Sequence, residues 1–224
     1  MSKHIFLLGG SGRTGLLVIE KALASGHKVT ALVRNTAKVE ISHANLTLFE
    51  GSPSSAKDLA AAMQGCDSVI VTLNNSRQTD SPFSKIINSD TLLTDTISET
   101  VAAMKGHGIT RISMLSAAGT TDTFVTAPWV MRLMIKHTNL GHAYRDHEGV
   151  QAVLEASGLD WTLGRAMMLG KKPGTAPVIE SYVVNGKADP KPAMQISRAS
   201  VAQWLIDSLD RDDLAAKAPM ISQK

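Results

Sequence analysis

Cysteine is almost missing from this chain, with Cys66 the only one. That excludes an internal disulfide and makes a reducing cytoplasm the expected compartment. Cys66 comes just before an apolar run at 69–73, where it reads as a small buried thiol. No apolar run approaches the ~18 residues of a membrane span, so no membrane association is expected. The first residues lead directly into an apolar stretch, and no signal peptide is expected. An excess of one charge is missing as well. The formal net charge is +3 over 224 residues, too little to imply nucleic-acid binding, although it favours an anionic ligand. No repeat or low-complexity linker divides the sequence. With 43% hydrophobic and 19% charged residues, the chain reads as one globular domain over 1–224. No metal site is assigned.

What is present is concentrated near the start. Ile5-Phe6-Leu7-Leu8 is a short apolar run that stops at Gly9-Gly10-Ser11-Gly12-Arg13-Thr14-Gly15. Helix-spaced Leu16, Leu17, Ile19, Ala22 and Leu23 follow. The glycines fit G-x-G-x-x-G (Gly10, Gly12, Gly15) or G-x-x-G-x-x-G (Gly9, Gly12, Gly15). Either register suits a strand-to-helix turn that lets a pyrophosphate approach bare backbone at a helix N-terminus. A strand before and a helix after are the context such a fingerprint requires. A plain βα turn is the alternative.

Val29–Val33 reads as a second strand, parallel to the first by the right-handed crossover rule. An NAD site places an acid at the end of this strand. Here Arg34 and Asn35 stand there instead. An arginine cannot accept the ribose hydroxyl bond but can pair with a 2′-phosphate, and Arg13 could reach the same group. NADP(H) is therefore expected over NAD(H).

Further strands are predicted at 46–49, 69–73, 111–115, 160–165, 182–184 and 219–222. Helices are predicted from about 56 to 63, 89 to 105, 143 to 156 and 199 to 209. Asn74-Asn75-Ser76 follows the fourth strand at its carboxyl end, where it either faces a ligand or forms an ordinary polar loop. Ser52, beyond the third strand, joins the cofactor-side candidates. Residues 129–136 (WVMRLMIK) form an amphipathic helix that reads as a lid or a subunit contact. Arg132 and Lys136 share one face there and could meet an anionic substrate, or form a solvated basic face.

Several segments together carry a resemblance: G-G-S-G-R-T-G at 9–15, L-V-R-N at 32–35, S-A-A-G at 116–119, V-L-E-A-S-G-L-D-W-T-L-G-R at 153–165 and I-S-R-A-S-V-A at 196–202. The chain resembles the atypical short-chain dehydrogenase/reductases, and among them the NmrA-like NAD(P)-binding proteins that include biliverdin-IXβ/flavin reductases. The resemblance spans nearly the whole chain. It implies an α/β fold, a doubly wound parallel sheet (Rossmann fold) with NADP(H) across its carboxyl edge. A small substrate cap would come from 119–141 and 166–195. By position, Gly9, Gly10, Ser11, Gly12, Arg13, Thr14 and Gly15 would hold the pyrophosphate, and Arg34 the 2′-phosphate. Leu73 and Asn74 would border the adenosine, and Ser116 would lie beside the nicotinamide.

The chain departs from that pattern where the family's Tyr-x-x-x-Lys pair would be. Tyr144 has Glu148 four residues on, and His147 stands where many atypical members carry lysine. Ala166 replaces the proline after Arg165, and Ser200 stands where aspartate is common. A tyrosinate mechanism for alcohol oxidation therefore lacks its parts. The expected function is NADPH-dependent reduction of a flavin-, quinone- or tetrapyrrole-like acceptor. In this reading Ser116 orients the acceptor or the carboxamide, and His147 contacts the ribose or relays a proton, a role that titration near neutrality suits, while Tyr144 is the remaining catalytic candidate. A non-catalytic NADP(H) sensor and an epimerase- or dehydratase-like enzyme are the alternatives. Both a monomer and a homodimer fit.

Overall fold

A computed structural model describes residues 2–75, 78–79, 81–170 and 174–223. Strands β1 (His4–Leu8), β2 (Lys28–Val33), β3 (Leu46–Glu50), β4 (Ser68–Val71), β5 (Arg111–Ala117) and β6 (Asp160–Ala166) belong to one sheet, together with β8 (Val178–Val184), β9 (Lys187–Asp189) and β11 (Met220–Gln223). Its order is β3-β2-β1-β4-β5-β6-β11-β8-β9. The pairs from β3 through β11 are parallel, and β8 and β9 add an antiparallel edge. A separate parallel pair, β7 (Met168–Gly170) with β10 (Gln195–Ser197), sits beyond the end of β6.

The central strands read as continuous apolar runs because helices cover both faces. On one face, Ile5, Leu7, Val29 and Ala31 pack under α1 (Arg13–Ala24) and α6 (Arg198–Asp207). On the other, Phe6, Leu8, Val69, Val71, Ile112 and Met114 pack under α2 (Ala56–Ala62), α3 (Leu92–His107) and α5 (Leu140–Ser157). Each such side chain contributes about 1.5–3 kcal/mol by leaving water. The alternation along β1 thus feeds two cores at once, and the sheet is doubly wound. Cys66 is buried at the edge of the second core, where loss of solvent pushes its thiol up to about 11.

Some boundaries differ from those expected. The fourth strand stops at Val71, because the Thr72 hydroxyl turns back to donate to the Leu8 and Gly9 carbonyls. Helix α3 starts at Leu92 rather than near Ser89, and α5 starts at Leu140. The expected strand at 182–184 is the end of the longer β8. Strands β7, β9 and β10 have three residues each, too short to show a period, and the sequence reading did not include them. Residues 119–141 contain a 3-10 turn (Thr121–Thr126) and helix α4 (Trp129–His137). Among the described residues, no helix is long and apolar enough to cross a membrane.

Candidate functional site

The glycine turn lies at the carboxyl edge of the sheet between β1 and α1. Gly9 has φ +86°, and a Cβ there would sit 2.9 Å from the Leu73 nitrogen. Gly12 donates its amide to the Gly9 carbonyl at 3.0 Å and is the N-cap of α1, with no side chain capping the helix. Gly15 permits the closest approach: its Cβ would lie 2.1 Å from the Gly9 oxygen. Only glycine lets α1 pack this near the end of β1. The result is a helix N-terminus with no acidic residue in its first turn, open to an anion.

A cleft of about 440 Å³ opens over this turn. Gly9, Ser11, Gly12, Arg13 and Thr14 form its floor, Arg34 and Lys38 one end, and Ser116, His147, Leu169 and Arg198 the other, with Thr72, Leu73 and Asn74 also in its wall. A neighbouring cleft of about 290 Å³ shares Arg34, Leu73 and Asn74 and adds Ser52 and Leu92. Gly10 does not face the cleft; its missing Cβ points at Ala31 and Ile19 in the core. Gly15 likewise serves packing. Another cleft, about 560 Å³, lies elsewhere, between α5 and β8 around Trp161, Arg165 and Tyr182. It includes no part of the glycine turn, and its Arg165 is already ion-paired with Asp122. We therefore assign the candidate site to the cleft over the turn.

The basic end gathers three cations. Lys38 was not among the sequence candidates. It arrives through a 3-10 turn, Thr36–Lys38, capped by the Asn35 side chain, which accepts from the Ala37 amide at 2.9 Å. The Asn-Thr-Ala-Lys spacing after the second strand was the available signal. Asn35 is thus spent on the turn that returns Lys38 to the cleft.

At the other end, Ser116 Oγ and His147 Nδ1 lie 3.3 Å apart, both buried. Burial lowers the His147 pKa to about 4, with neighbouring Asp146 opposing only part of the shift. The ring is therefore neutral at physiological pH. This corrects the expectation of a proton relay titrating near neutrality, which assumed an exposed ring.

Tyr144 lies outside the lining of the cleft and packs against Gly119, where a Cβ would meet its ring at 3.0 Å. Glu148 accepts from the Thr121 amide at 3.2 Å. Asn75 turns inward, its amide donating to the Ser89 carbonyl and to Asp146 Oδ2 at 2.7 and 2.8 Å. Ser76 lies outside the described residues. Asp146 was also not among the candidates. From α5 it accepts the Leu93 and Thr94 amides and the Thr94 hydroxyl at 2.8–2.9 Å, thereby capping α3. Arg132 and Lys136 do not line the cleft; Lys136 lies 5.6 Å from the Phe124 ring. Trp129, Val130 and Leu133 are exposed on α4. Ser200 sits at the start of α6, its amide donating to Ser197 Oγ at 3.0 Å.

A dinucleotide fits these residues. The uncapped α1 N-terminus at the floor of the cleft leaves donors for a pyrophosphate, and the missing Cβ atoms at Gly9 and Gly12 let the turn close tightly against Thr72, Leu73 and its own backbone. Comparisons with known proteins agree. A Bacillus subtilis (strain 168) protein named as an uncharacterized sugar epimerase, YhfK, is 29% identical over 222 residues, covering 96% of this chain and 91% of that one. A Veillonella parvula DSM 2008 short-chain dehydrogenase/reductase in complex with NADP superposes with TM-score 0.79 at 18% identity, over 100% and 95% of the two chains. The anaerobilin reductase ChuY of Escherichia coli O157:H7 superposes with TM-score 0.75 at 18% identity, over 98% and 97%. At such identity these structures share the fold. Residues 9–212 match the NAD(P)H-binding family, and the chain belongs to it.

Proposed function

We propose that the protein is an NADPH-dependent reductase of a flat, conjugated acceptor of the flavin, quinone or tetrapyrrole kind. The observation that carries this reading is the buried, uncharged Ser116–His147 pair at one end of the cleft, with Tyr144 outside it. A tyrosinate base is not at hand, so the chemistry has to be one that positioning can drive. Bound NADPH supplies the hydride. Arg13, Thr14 and the α1 N-terminus hold the pyrophosphate, and Leu73, Asn74 and Ser52 border the adenosine. Arg34 and Lys38 support NADP(H) over NAD(H), because no acid stands at the end of β2 to accept a ribose hydroxyl. The Ser116 hydroxyl orients the carboxamide or the acceptor. Neutral His147 fixes that hydroxyl by its hydrogen bond rather than exchanging charge with solvent.

The epimerase name of the Bacillus relative favours a second reading, sugar-nucleotide chemistry. That chemistry would require a tyrosine acid/base, and Tyr144 is packed under Gly119. The test is NADPH oxidation at 340 nm with FMN, riboflavin, a small quinone and a bilin, alongside cofactor titration by fluorescence. Turnover with any acceptor is expected. Tight NADPH binding without turnover would make the protein a sensor, and turnover of a sugar nucleotide alone would restore the epimerase reading.

A further inference from the structure

We propose that Arg198 sets acceptor choice by receiving an acidic group, a carboxylate or a phosphate, carried by the acceptor. The inference rests on the reductase reading and concerns the same cleft. Among the described residues no acidic side chain lines that cleft, and the four cations described there fall into separate groups. Arg13, Arg34 and Lys38 come from the glycine turn and the end of β2. Arg198 is the first residue of α6 and is tethered beyond the end of β6, where its Nη1 donates to the Gly170 carbonyl at 3.2 Å. In the strand order, β2 and β6 are four positions apart, about 19 Å at ordinary strand spacing. One phosphate on the ribose cannot serve both ends. Arg198 therefore sits with Ser116 and Leu169, on the side where an acceptor enters.

The backbone around Arg198 is fixed. Ser197 caps α6 by accepting the Ser200 amide at 3.0 Å. The β7–β10 ladder pairs Ser197 with Gly170 and Ile196 with Leu169. The same ladder presents Met168 and Met194, 63% and 76% exposed, with the Met168 amide donating to the Met194 carbonyl at 3.3 Å. The planar Arg198 guanidinium, in the cleft wall with Leu169, matches an acceptor with an acidic arm, because its fork of donors pairs with carboxylate or phosphate.

The test compares acceptors that differ only in the acidic group: FMN against riboflavin for phosphate, and a bilin diacid against its dimethyl ester for carboxylate. Each is titrated into the protein–NADP⁺ complex by fluorescence quenching, which needs no turnover. In the unaltered protein the acidic member of at least one pair is expected to bind about tenfold tighter or more. Arg198→Met should erase that preference by weakening the acidic member alone, with NADP⁺ affinity changed less than about twofold. Arg198→Lys, which keeps the charge, should retain part of it. Equal binding within both pairs, or a preference that survives Arg198→Met, overturns the inference. So does an Arg198→Met loss of NADP⁺ affinity that weakens both members alike, which would make Arg198 a cofactor phosphate clamp. Acid-dependent binding without turnover would sink the reductase reading and leave Arg198's role standing; turnover indifferent to the acid would do the reverse.

Discussion

At the glycine turn the candidate site is built of backbone, and at Ser116 it is built of side chains distant in the chain. The first end is made from one continuous βαβ unit, where Gly9, Gly12 and Gly15 let β1 and the α1 N-terminus pack closely and Arg34 follows directly on β2. The second end needs Ser116 from β5, His147 from α5, Leu169 from β7 and Arg198 from α6. A local construction binds a ligand part that is always the same. An assembled one can change with any of its segments, which suits the part of the site that, in the proposed reading, would choose the acceptor.

Breaking the local end should have the largest effect. Gly15→Ala puts a Cβ 2.1 Å from the Gly9 oxygen. The expected result is loss of detectable NADP(H) binding in a titration, with a stability loss of about 1–3 kcal/mol or more in urea. Ordinary stability with unchanged binding would show that α1 can move away.

The assembled end depends on Asp146, which ties α5 to the start of α3 and neighbours His147. Asp146→Ala leaves the Leu93 and Thr94 amides and the Asn75 amide without that acceptor. About 3 kcal/mol of stability should be lost, while NADP(H) affinity of the surviving folded fraction stays near normal. A combined loss would mean that the two ends are not independent.

Arg34→Ala should raise the dissociation constant for NADP about 10- to 100-fold and that for NAD by less than about threefold. Equal shifts would remove the 2′-phosphate from this end of the cleft.

A further effect is pH-dependent. The folded pKa of His147 lies near 4, below its ordinary 6.5. Between these values the unfolded chain takes up a proton that the folded one refuses, so stability falls as pH drops from about 6.5 to about 4. Relative to His147→Gln, the unaltered protein should lose on the order of 2–3 kcal/mol between pH 7 and pH 4 in urea titrations. Parallel curves for the two proteins would mean that the ring is hydrated and titrates normally.

The same contrast explains what could be read from the sequence. The strands β1, β2 and β4 are largely apolar runs bounded by turns, and they, with β5 and β6, fall where strands were predicted. The glycine turn and Arg34 could be placed because they sit on consecutive segments. Lys38 and Thr72 needed the local turn geometry. Leu169 and Arg198 needed the three-residue β7–β10 ladder, which leaves no periodic trace. The roles of Asn75 and Asp146 were hidden because each depends on a partner far away in the chain, Asp146 from Asn75 by 71 residues. His147 could be named from the sequence, but its charge state follows from burial, which only the packed structure reveals.

The most direct measurement compares the single-turnover rate of NADPH oxidation, with the best acceptor found, in Tyr144→Phe and Ser116→Ala. Positioned reduction without a tyrosine base requires Tyr144→Phe to stay within about twofold of the unaltered protein and Ser116→Ala to fall about tenfold or more. A loss of several orders of magnitude in Tyr144→Phe, with Ser116→Ala little changed, would contradict it and return the proton transfer to the tyrosine.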